Sequence, residues 1–159
     1  MTFKQEYEAL KLAKLTKEKP AAMATGCFDD TIKMKPVKTA ANMEARIDEY
    51  CTLNNAECTK VYAGGRHIVS KTKAHDVLGR ERNIINEKYI PGTTRPGTSD
   101  LIIVKNNKSL YVEVKFSKSD RQAEVQKAWQ ARVESYGNTY EIVKTLDEFQ
   151  QIFKKYYYG

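Results

Sequence analysis

The sequence lacks long apolar runs, closely paired cysteines and a secretory leader, and each absence excludes a class of protein. No apolar run approaches the length that crosses a bilayer, which excludes a membrane-spanning protein. The first residues, Met1–Glu6, lack the apolar stretch of a secretory signal. The three cysteines, Cys27, Cys51 and Cys58, form no C-x-x-C motif and no ligand set with the two histidines. We therefore expect reduced thiols in the cytoplasm and no zinc site.

The charge balance is strongly basic, with a net charge of +7 and a pI near 9.2. A chain of 159 residues is long enough for a single core, and the sequence contains no repeats or low-complexity segments. A basic surface either keeps a protein soluble or attracts an anionic partner such as nucleic acid. We favour nucleic acid, because the acidic site described next needs a phosphate substrate.

The stretch from Ser99 to Lys115 predicts two short strands joined by a tight turn. Leu101–Val104 is an unbroken apolar run, as in a buried strand, and the polar turn residues include two asparagines, which tolerate the left-handed conformation of a hairpin. In the second strand apolar and polar residues alternate, so Glu113 and Lys115 share the face opposite the core. The hairpin therefore presents charged side chains at one of its ends.

Two carboxylates and an ammonium are expected to converge at that end of the hairpin. Asp100 precedes the first strand, and Glu113 and Lys115 lie near the end of the second. Carboxylate oxygens suit Mg²⁺, and a lysine beside the metal can hold the attacking water. We expect Asp100, Glu113 and the Val114 carbonyl to bind Mg²⁺, which Mn²⁺ can replace, and Lys115 to orient the water.

The spacing Asp-x12-Glu-x-Lys resembles the core of the PD-(D/E)xK nuclease superfamily. The blocks Gly97-Thr98-Ser99-Asp100, Glu113-Val114-Lys115 and Gln126-Lys127-Ala128-Trp129, in this order, resemble its VRR-NUC branch over about residues 40–145. The family often has proline at the position of Ser99, a residue that ligates nothing. The resemblance implies an α/β fold with a restriction-endonuclease-like core, in which helices flank a central mixed β-sheet. It also places Gln126 in the active-site cluster, whereas periodicity alone equally allows a half-buried polar residue.

The segment from Thr39 to about Asn54 predicts the first helix of the nuclease core. The family places a metal-binding glutamate on its opening helix, and Met43-Glu44-Ala45-Arg46-Ile47 resembles that element. We therefore expect Glu44 to be the third acidic residue. Glu49 is the alternative ligand, and a surface ion pair is the alternative role for Glu44. Residues 1–38 form a helical leader or arm, with a helix over 3–18, and residues 39–159 form the nuclease domain.

The segment between Gly64 and Gly97 is long, basic and rich in turn residues, and it predicts an irregular loop. Its side chains are expected to hold DNA phosphates, although a solvated loop without a partner is the alternative. Both histidines, His67 and His75, lie in this segment. An isolated histidine is more often structural or exposed than catalytic, so we assign neither a catalytic part. The residues expected to bind DNA are Arg66, Lys71, Lys73, Arg80, Arg82 and Arg95.

The chain beyond the hairpin predicts a helix, a strand and a second helix. Ser117–Asp120 is expected to cap the first helix, whose inward face carries Trp129, Val133 and Tyr136 before Gly137 ends it. Thr139–Val143 predicts the strand, and a capping box at 145–148 opens the last helix. The tyrosine-rich tail at 154–159 either stacks on nucleic acid or packs on the domain.

The features together predict a Mg²⁺-dependent DNA endonuclease. By resemblance the expected substrate is branched double-stranded DNA, such as a four-way junction or a flap, and the expected assembly is a homodimer that makes paired cuts, as in a phage-like or bacterial repair nuclease. Two alternatives remain, a sequence-specific restriction-type nuclease and a non-catalytic DNA-binding module with a nuclease fold. No side-chain set directed at base edges is recognisable, and the intact acidic residues argue against the second.

Overall fold

A computed structural model describes most of the chain. The described residues are 1–23, 32–62, 64–75, 79–90, 92, 95–117 and 119–159. Their helices are α1 (Phe3–Glu18), α2 (Pro20–Met23), α3 (Ala40–Leu53), α4 (Glu124–Ser135) and α5 (Leu146–Tyr158). Their strands are β1 (Glu57–Lys60), β2 (Arg66–His75), β3 (Glu81–Ile90), β4 (Leu101–Lys105), β5 (Lys108–Val114) and β6 (Thr139–Val143).

The central sheet has four strands in the order β1-β4-β5-β6. β4 pairs antiparallel with both β1 and β5, whereas β5 and β6 run parallel. Asn106 and Asn107, with φ of 51° and 59°, form the tight turn between β4 and β5, as asparagine does in a two-residue hairpin. The predicted hairpin is confirmed, and so is the α/β fold with a mixed central sheet and flanking helices.

The core lies between the sheet and the helices α1, α3 and α5. Alternate residues of β5, Leu110 and Val112, are fully buried, together with Ile47 and Tyr50 of α3. Thr39 caps α3 by accepting a hydrogen bond from the Asn42 backbone N–H. Because the apolar stripe of the predicted helix faces the sheet, the opening helix of the predicted nuclease core is held against β1.

The first helix also contributes to this core. Phe3 and Tyr7 are 1% and 0% exposed, and the Phe3 ring lies 4.8 Å from that of Tyr50, centroid to centroid. The backbone N–H of Phe3 donates a 2.7 Å hydrogen bond to Asp147 at the start of α5. Residues 3–18 are thus helical, as predicted, and this helix packs on the two helices that flank the sheet.

The predicted irregular loop between Gly64 and Gly97 is wrong in its main part. β2 and β3 form an antiparallel ribbon in which ten residues of each strand pair, from Arg66 with Ile90 to His75 with Glu81. The ribbon has β-branched and aromatic residues that favour strands, among them Val69, Ile85 and Tyr89. Both faces of this isolated ribbon are exposed to solvent, so charged residues occur on both faces. The sequence therefore lacks the regular alternation of polar and apolar residues that would indicate a strand.

Several local predictions near the ends of elements also need correction. Cys58, Val61 and Tyr62 favour a strand over residues 57–63, but β1 ends at Lys60, and residue 63 lies outside the described residues. Asp120 accepts a hydrogen bond from the Ser117 N–H instead of capping the helix, and α4 begins only at Glu124. Tyr136, predicted to be core, is 77% exposed because it follows the last residue of α4.

The tyrosine-rich tail belongs to the last helix. α5 extends to Tyr158, and its Tyr157 hydroxyl donates a 2.9 Å hydrogen bond to the Ile103 carbonyl on β4. Tyr156 donates likewise to the Ser109 carbonyl at 3.0 Å. Of the two alternatives for the tail, the structure shows the one in which it packs on the domain.

In the part of the chain that the structure describes, none of the helices combines the length and apolarity that a membrane crossing requires.

Candidate active site

Asp100 is fixed by two backbone contacts at the start of β4. Its carbonyl accepts a 2.8 Å hydrogen bond from the Val61 N–H, which ties it to the end of β1. Its carboxylate Oδ2 accepts a 2.9 Å hydrogen bond from the Val114 N–H, the last residue of β5. The hairpin therefore places the Asp100 carboxylate at the end of the strand that carries Glu113 and Lys115, as the sequence predicts.

Glu113 is a buried carboxylate with three side-chain donors around it. Its side chain is 2% exposed, and its Oε1 lies 3.0 Å from Lys115 Nζ. Gln126 Nε2 donates to the same oxygen, and the Tyr140 hydroxyl lies 3.4 Å from Oε2. A buried carboxylate needs such donors, because an unpaired buried charge is strongly unfavourable.

Lys115 and Gln126 complete a closed set of contacts with Glu113. Lys115 Nζ donates a 3.0 Å hydrogen bond to Gln126 Oε1, while the amide nitrogen of Gln126 donates to Glu113. Gln126 Oε1 also accepts from the Ala123 N–H at 2.9 Å, which anchors the amide at the first turn of α4. Lys115 is 13% exposed, so its ammonium is held in one position between the carboxylate and the amide.

The two carboxylates influence each other. Burial raises the pKa of Glu113, and the neighbouring Asp100 carboxylate adds to the effect, against the hydrogen bond from Lys115. Burial also raises the pKa of Asp100, opposed by the hydrogen bond from the Val114 N–H and increased by the charge of Glu44. Negative charge is thus only partly compensated in this site, which is the condition that favours a bound cation.

Glu44 and Glu49 lie on different sides of α3. Glu44, with a side chain 12% exposed, pairs with Lys60 and acts electrostatically on Asp100. Glu49 instead accepts from the Tyr7 hydroxyl of α1 and forms a 2.7 Å ion pair with Arg46. Of the two residues considered for the third acidic position, Glu44 is the one directed toward the site.

The donor chemistry of this site fits a hard divalent cation. Carboxylate oxygens are what Mg²⁺ prefers, and the buried Glu44 Oε2 has Lys60 Nζ as its cationic partner. The described residues contain no preformed group of three acidic, histidine or cysteine ligands. Mg²⁺ commonly uses one or two carboxylates and keeps several waters, so the carboxylates of Asp100 and Glu113 are of the type and number that it uses.

Two residues at the site were missed by the sequence interpretation. Lys60, the last residue of β1, pairs with Glu44 and lowers the pKa of Asp100 by its charge. Tyr140 on β6 reaches Glu113 because β6 pairs in parallel with β5. The parallel pairing of β6 is the signal that could have found Tyr140, since residues 113 and 140 then lie on adjacent strands.

The residues expected to bind DNA do not form one surface. Lys71 and Lys73 lie on one face of the β2–β3 ribbon, whereas Arg82, opposite Ala74, lies on the other. Lys73 Nζ forms a 3.1 Å ion pair with Glu81 on the neighbouring strand. The structure thus brings together only part of this set.

The remaining three arginines of the set lie at the ends of the ribbon and beyond it. Arg80 directly precedes β3, and Arg95 lies in the turn before Asp100, where its carbonyl accepts from the Thr98 N–H at 3.4 Å. Arg66 is the first residue of β2 and pairs with Ile90. Of these arginines, Arg95 alone is close in sequence to the acidic residues of the site.

The comparison with protein-family models finds one match, to the VRR-NUC domain, over residues 39–145. This span includes Glu44, Asp100, Glu113, Lys115 and Gln126, as well as the whole β2–β3 ribbon. No curated protein and no solved structure gave a significant match. The matched span starts at the N-cap of α3 and ends at the N-cap of α5.

Proposed function

Because this match covers well over half of its length, the chain belongs to the VRR-NUC family within the PD-(D/E)xK superfamily, and we propose that it is a Mg²⁺-dependent endonuclease acting on branched DNA. Membership implies nuclease-type processing of DNA. The contact that carries the catalytic part of this proposal is the 3.0 Å pair of Lys115 Nζ with Glu113 Oε1, on the strand end that also holds the Asp100 carboxylate, whereas the branched substrate rests on the resemblance to the family alone. An ammonium and two carboxylates at one strand end are the parts that hydrolysis of a phosphodiester needs.

Each side chain of the site has a defined part in this proposal. Asp100, Glu113 and the Val114 carbonyl hold Mg²⁺ or Mn²⁺, with Glu44 as a further ligand. A cation held by these residues would supply polarisation of the scissile phosphate and a lower pKa for the attacking water. Lys115 Nζ holds the attacking water and stabilises negative charge that develops on the phosphate. Gln126 fixes the lysine through its Oε1.

DNA is held in this proposal by basic residues outside the acidic site. The carboxylates repel phosphate until a cation is bound, so binding free energy must come from basic residues such as Lys71 on one face of the ribbon and Arg95 before Asp100. A net charge of +7 supports such a footprint. Affinity is expected to fall steeply with salt, because bound counterions are released from the DNA.

The decisive experiment is a cleavage panel on linear, flap and four-way-junction DNA with Mg²⁺, Mn²⁺ or chelator. We expect metal-dependent cutting of the branched substrates, and a loss of about 100-fold or more in Lys115→Met and Glu113→Gln with DNA binding retained. Lys127→Met is the matched control, because its partner Glu124 and the lysine itself are exposed on α4. Light scattering on the same samples tests the proposed homodimer.

Three results would contradict the proposal in different ways. Unchanged cutting by Lys115→Met would remove its mechanism. A discrete fragment pattern on linear DNA would indicate a restriction-type nuclease, and a gel shift without cutting under any metal condition would indicate a binding module.

A further inference from the structure

Lys60 lies next to the candidate site but belongs to none of its motifs. In the sheet it pairs with Leu101, the residue after Asp100, and the following Val61 N–H donates to the Asp100 carbonyl. Its Nζ is paired with Glu44 and lies 5.2 Å from the centre of the Tyr62 ring. β1 therefore places an ammonium beside Glu44 and next to the strand end that carries Asp100.

The ammonium borders a cleft that Glu44 lines and that Asp100 and Glu113 do not. The cleft, of about 290 Å³, lies between α3 and the end of β1, and Glu44, Asp48, Lys60 and Tyr62 line it. The Lys60 side chain is 37% exposed, whereas that of Glu44 is 12% exposed. Lys60 thus lies between the nearly buried Glu44 carboxylate and a cleft that solvent and a larger anion can enter.

Lys60 is the counter-ion of Glu44. Glu44 Oε2 is buried, and Lys60 Nζ is the cation paired with it, so the carboxylate depends on the charge of Lys60. Because a buried carboxylate needs a cation beside it, a divalent cation bound next to Glu44 can take the place of the ammonium.

We infer that Lys60 exchanges with the divalent cation: its ammonium neutralises Glu44 before the cation binds and binds a phosphate of the DNA strand afterwards. This inference rests on the proposed function. A cation held by Asp100 and Glu113, with Glu44 as a further ligand, would repel the ammonium at short range and take over its role as counter-ion. The flexible stem and compact charge of lysine suit a non-bridging phosphate oxygen, and the cleft gives the side chain room to move.

The exchange couples metal binding to DNA binding. Because Lys60 and the cation compete for Glu44, removing the ammonium should tighten the binding of the cation when DNA is absent. Because the displaced ammonium binds phosphate, it should contribute to DNA affinity only when the cation is present. Both effects can be measured without any cleavage.

The first experiment measures Mn²⁺ binding to the DNA-free protein by calorimetry and electron paramagnetic resonance. Lys60→Met is expected to bind Mn²⁺ at least about fivefold more tightly than the wild type. Lys14→Met, which breaks an exposed ion pair with Glu18 on α1, is the control and should leave the affinity unchanged. An unchanged Mn²⁺ affinity in Lys60→Met would overturn the inference.

The second experiment measures DNA affinity against salt concentration, with Ca²⁺ or with chelator. Lys60→Met should lower the salt slope by about 1 in Ca²⁺ and leave it unchanged in chelator. Glu44→Gln should bind DNA more tightly in chelator, because it releases the ammonium. In Lys60→Met protein the same Glu44→Gln change should give little gain in DNA affinity. A gain that persisted there would come from the lost repulsion between the Glu44 carboxylate and phosphate, and not from the freed ammonium.

The outcomes distinguish this inference from the proposed function. If the ion pair is purely structural, Lys60→Met should melt at a lower temperature than the wild type, while its Mn²⁺ affinity and salt slope stay at the wild-type values. That result overturns the inference. Should Lys60→Met fail to fold, Glu44→Gln in chelator still decides: no gain in DNA affinity overturns it. A wild-type protein that neither binds Mn²⁺ nor cuts DNA would instead overturn the proposed function.

Discussion

Replacing Asp100 by asparagine should make the protein more stable while it destroys the proposed chemistry. Burial raises the pKa of Asp100, and the charge of Glu44 adds to this, so the ionised carboxylate is disfavoured in the fold. Asparagine has the same shape, and its Oδ1 can still accept the hydrogen bond from the Val114 N–H. The substitution therefore removes an unfavourable charge and keeps the backbone contact.

The pH dependence of this gain follows from the direction in which the pKa moves. A carboxyl whose pKa is raised in the fold binds its proton more tightly when folded, so the wild type is favoured at low pH. That contribution is lost as the pH rises from the unfolded value of 3.8 through the raised pKa of Asp100. Asp100→Asn should match the wild type near pH 4 and exceed it increasingly up to neutral pH.

The size of the gain is limited by the partial exposure of the side chain. A tenfold change in the proton affinity of a carboxyl corresponds to about 1.4 kcal/mol, and solvent screening reduces the contribution of a half-buried group. We expect about 0.5–1.5 kcal/mol in the free energy of unfolding at neutral pH. For a chain of 159 residues this raises Tm by about 1–6 °C.

Differential scanning calorimetry at several pH values provides the measurement. Asp120→Asn is the matched control, since exposed Asp120 also accepts a backbone N–H, from Ser117, and should show no pH-dependent gain. Mg²⁺ should raise Tm of the wild type and leave that of Asp100→Asn almost unchanged. A neutral-pH Tm of Asp100→Asn at or below the wild-type value would refute the claim that the site carries uncompensated negative charge.

Three further substitutions test separate parts of the structure. Tyr140→Phe should slow cleavage by about 2–10-fold and shift the pH profile of cleavage, because Glu113 loses one donor; an unchanged profile would count against this positioning. Gly97→Ala should cost about 1–3 kcal/mol in urea unfolding, since φ is +84° and the added Cβ overlaps the Val125 carbonyl. Lys71→Met should lower the salt slope of DNA binding by about 1, and a wild-type slope would exclude the lysine from the DNA footprint.

The sequence predicts the parts of the fold in which periodicity and turn chemistry agree. The β4–β5 hairpin has an apolar strand, an asparagine turn and an alternating strand, and the helix at 40–53 has a capping threonine and a regular apolar stripe. The spacing of Asp100, Glu113 and Lys115 then follows from the hairpin register. These residues are near in sequence, so local rules are enough to bring them together.

The ribbon and Lys60 depend on information that local rules do not hold. β2 and β3 pair over twenty residues outside the central sheet, so no buried face imposes an apolar alternation on them. Lys60 reaches the site because β1 pairs with β4, across about forty residues of chain. Such pairings are fixed by the sheet order, which a single sequence does not reveal.

The packing of α1 bears on how the protein can be shortened for experiments. The family match spans residues 39–145, yet Phe3 and Tyr7 of α1 and Phe149 and Phe153 of α5 are almost fully buried in the shared core. A fragment cut at the matched boundaries would uncover this aromatic layer and aggregate. Inactivity of such a fragment would therefore report on lost folding, and protein prepared for assay should retain both flanking helices.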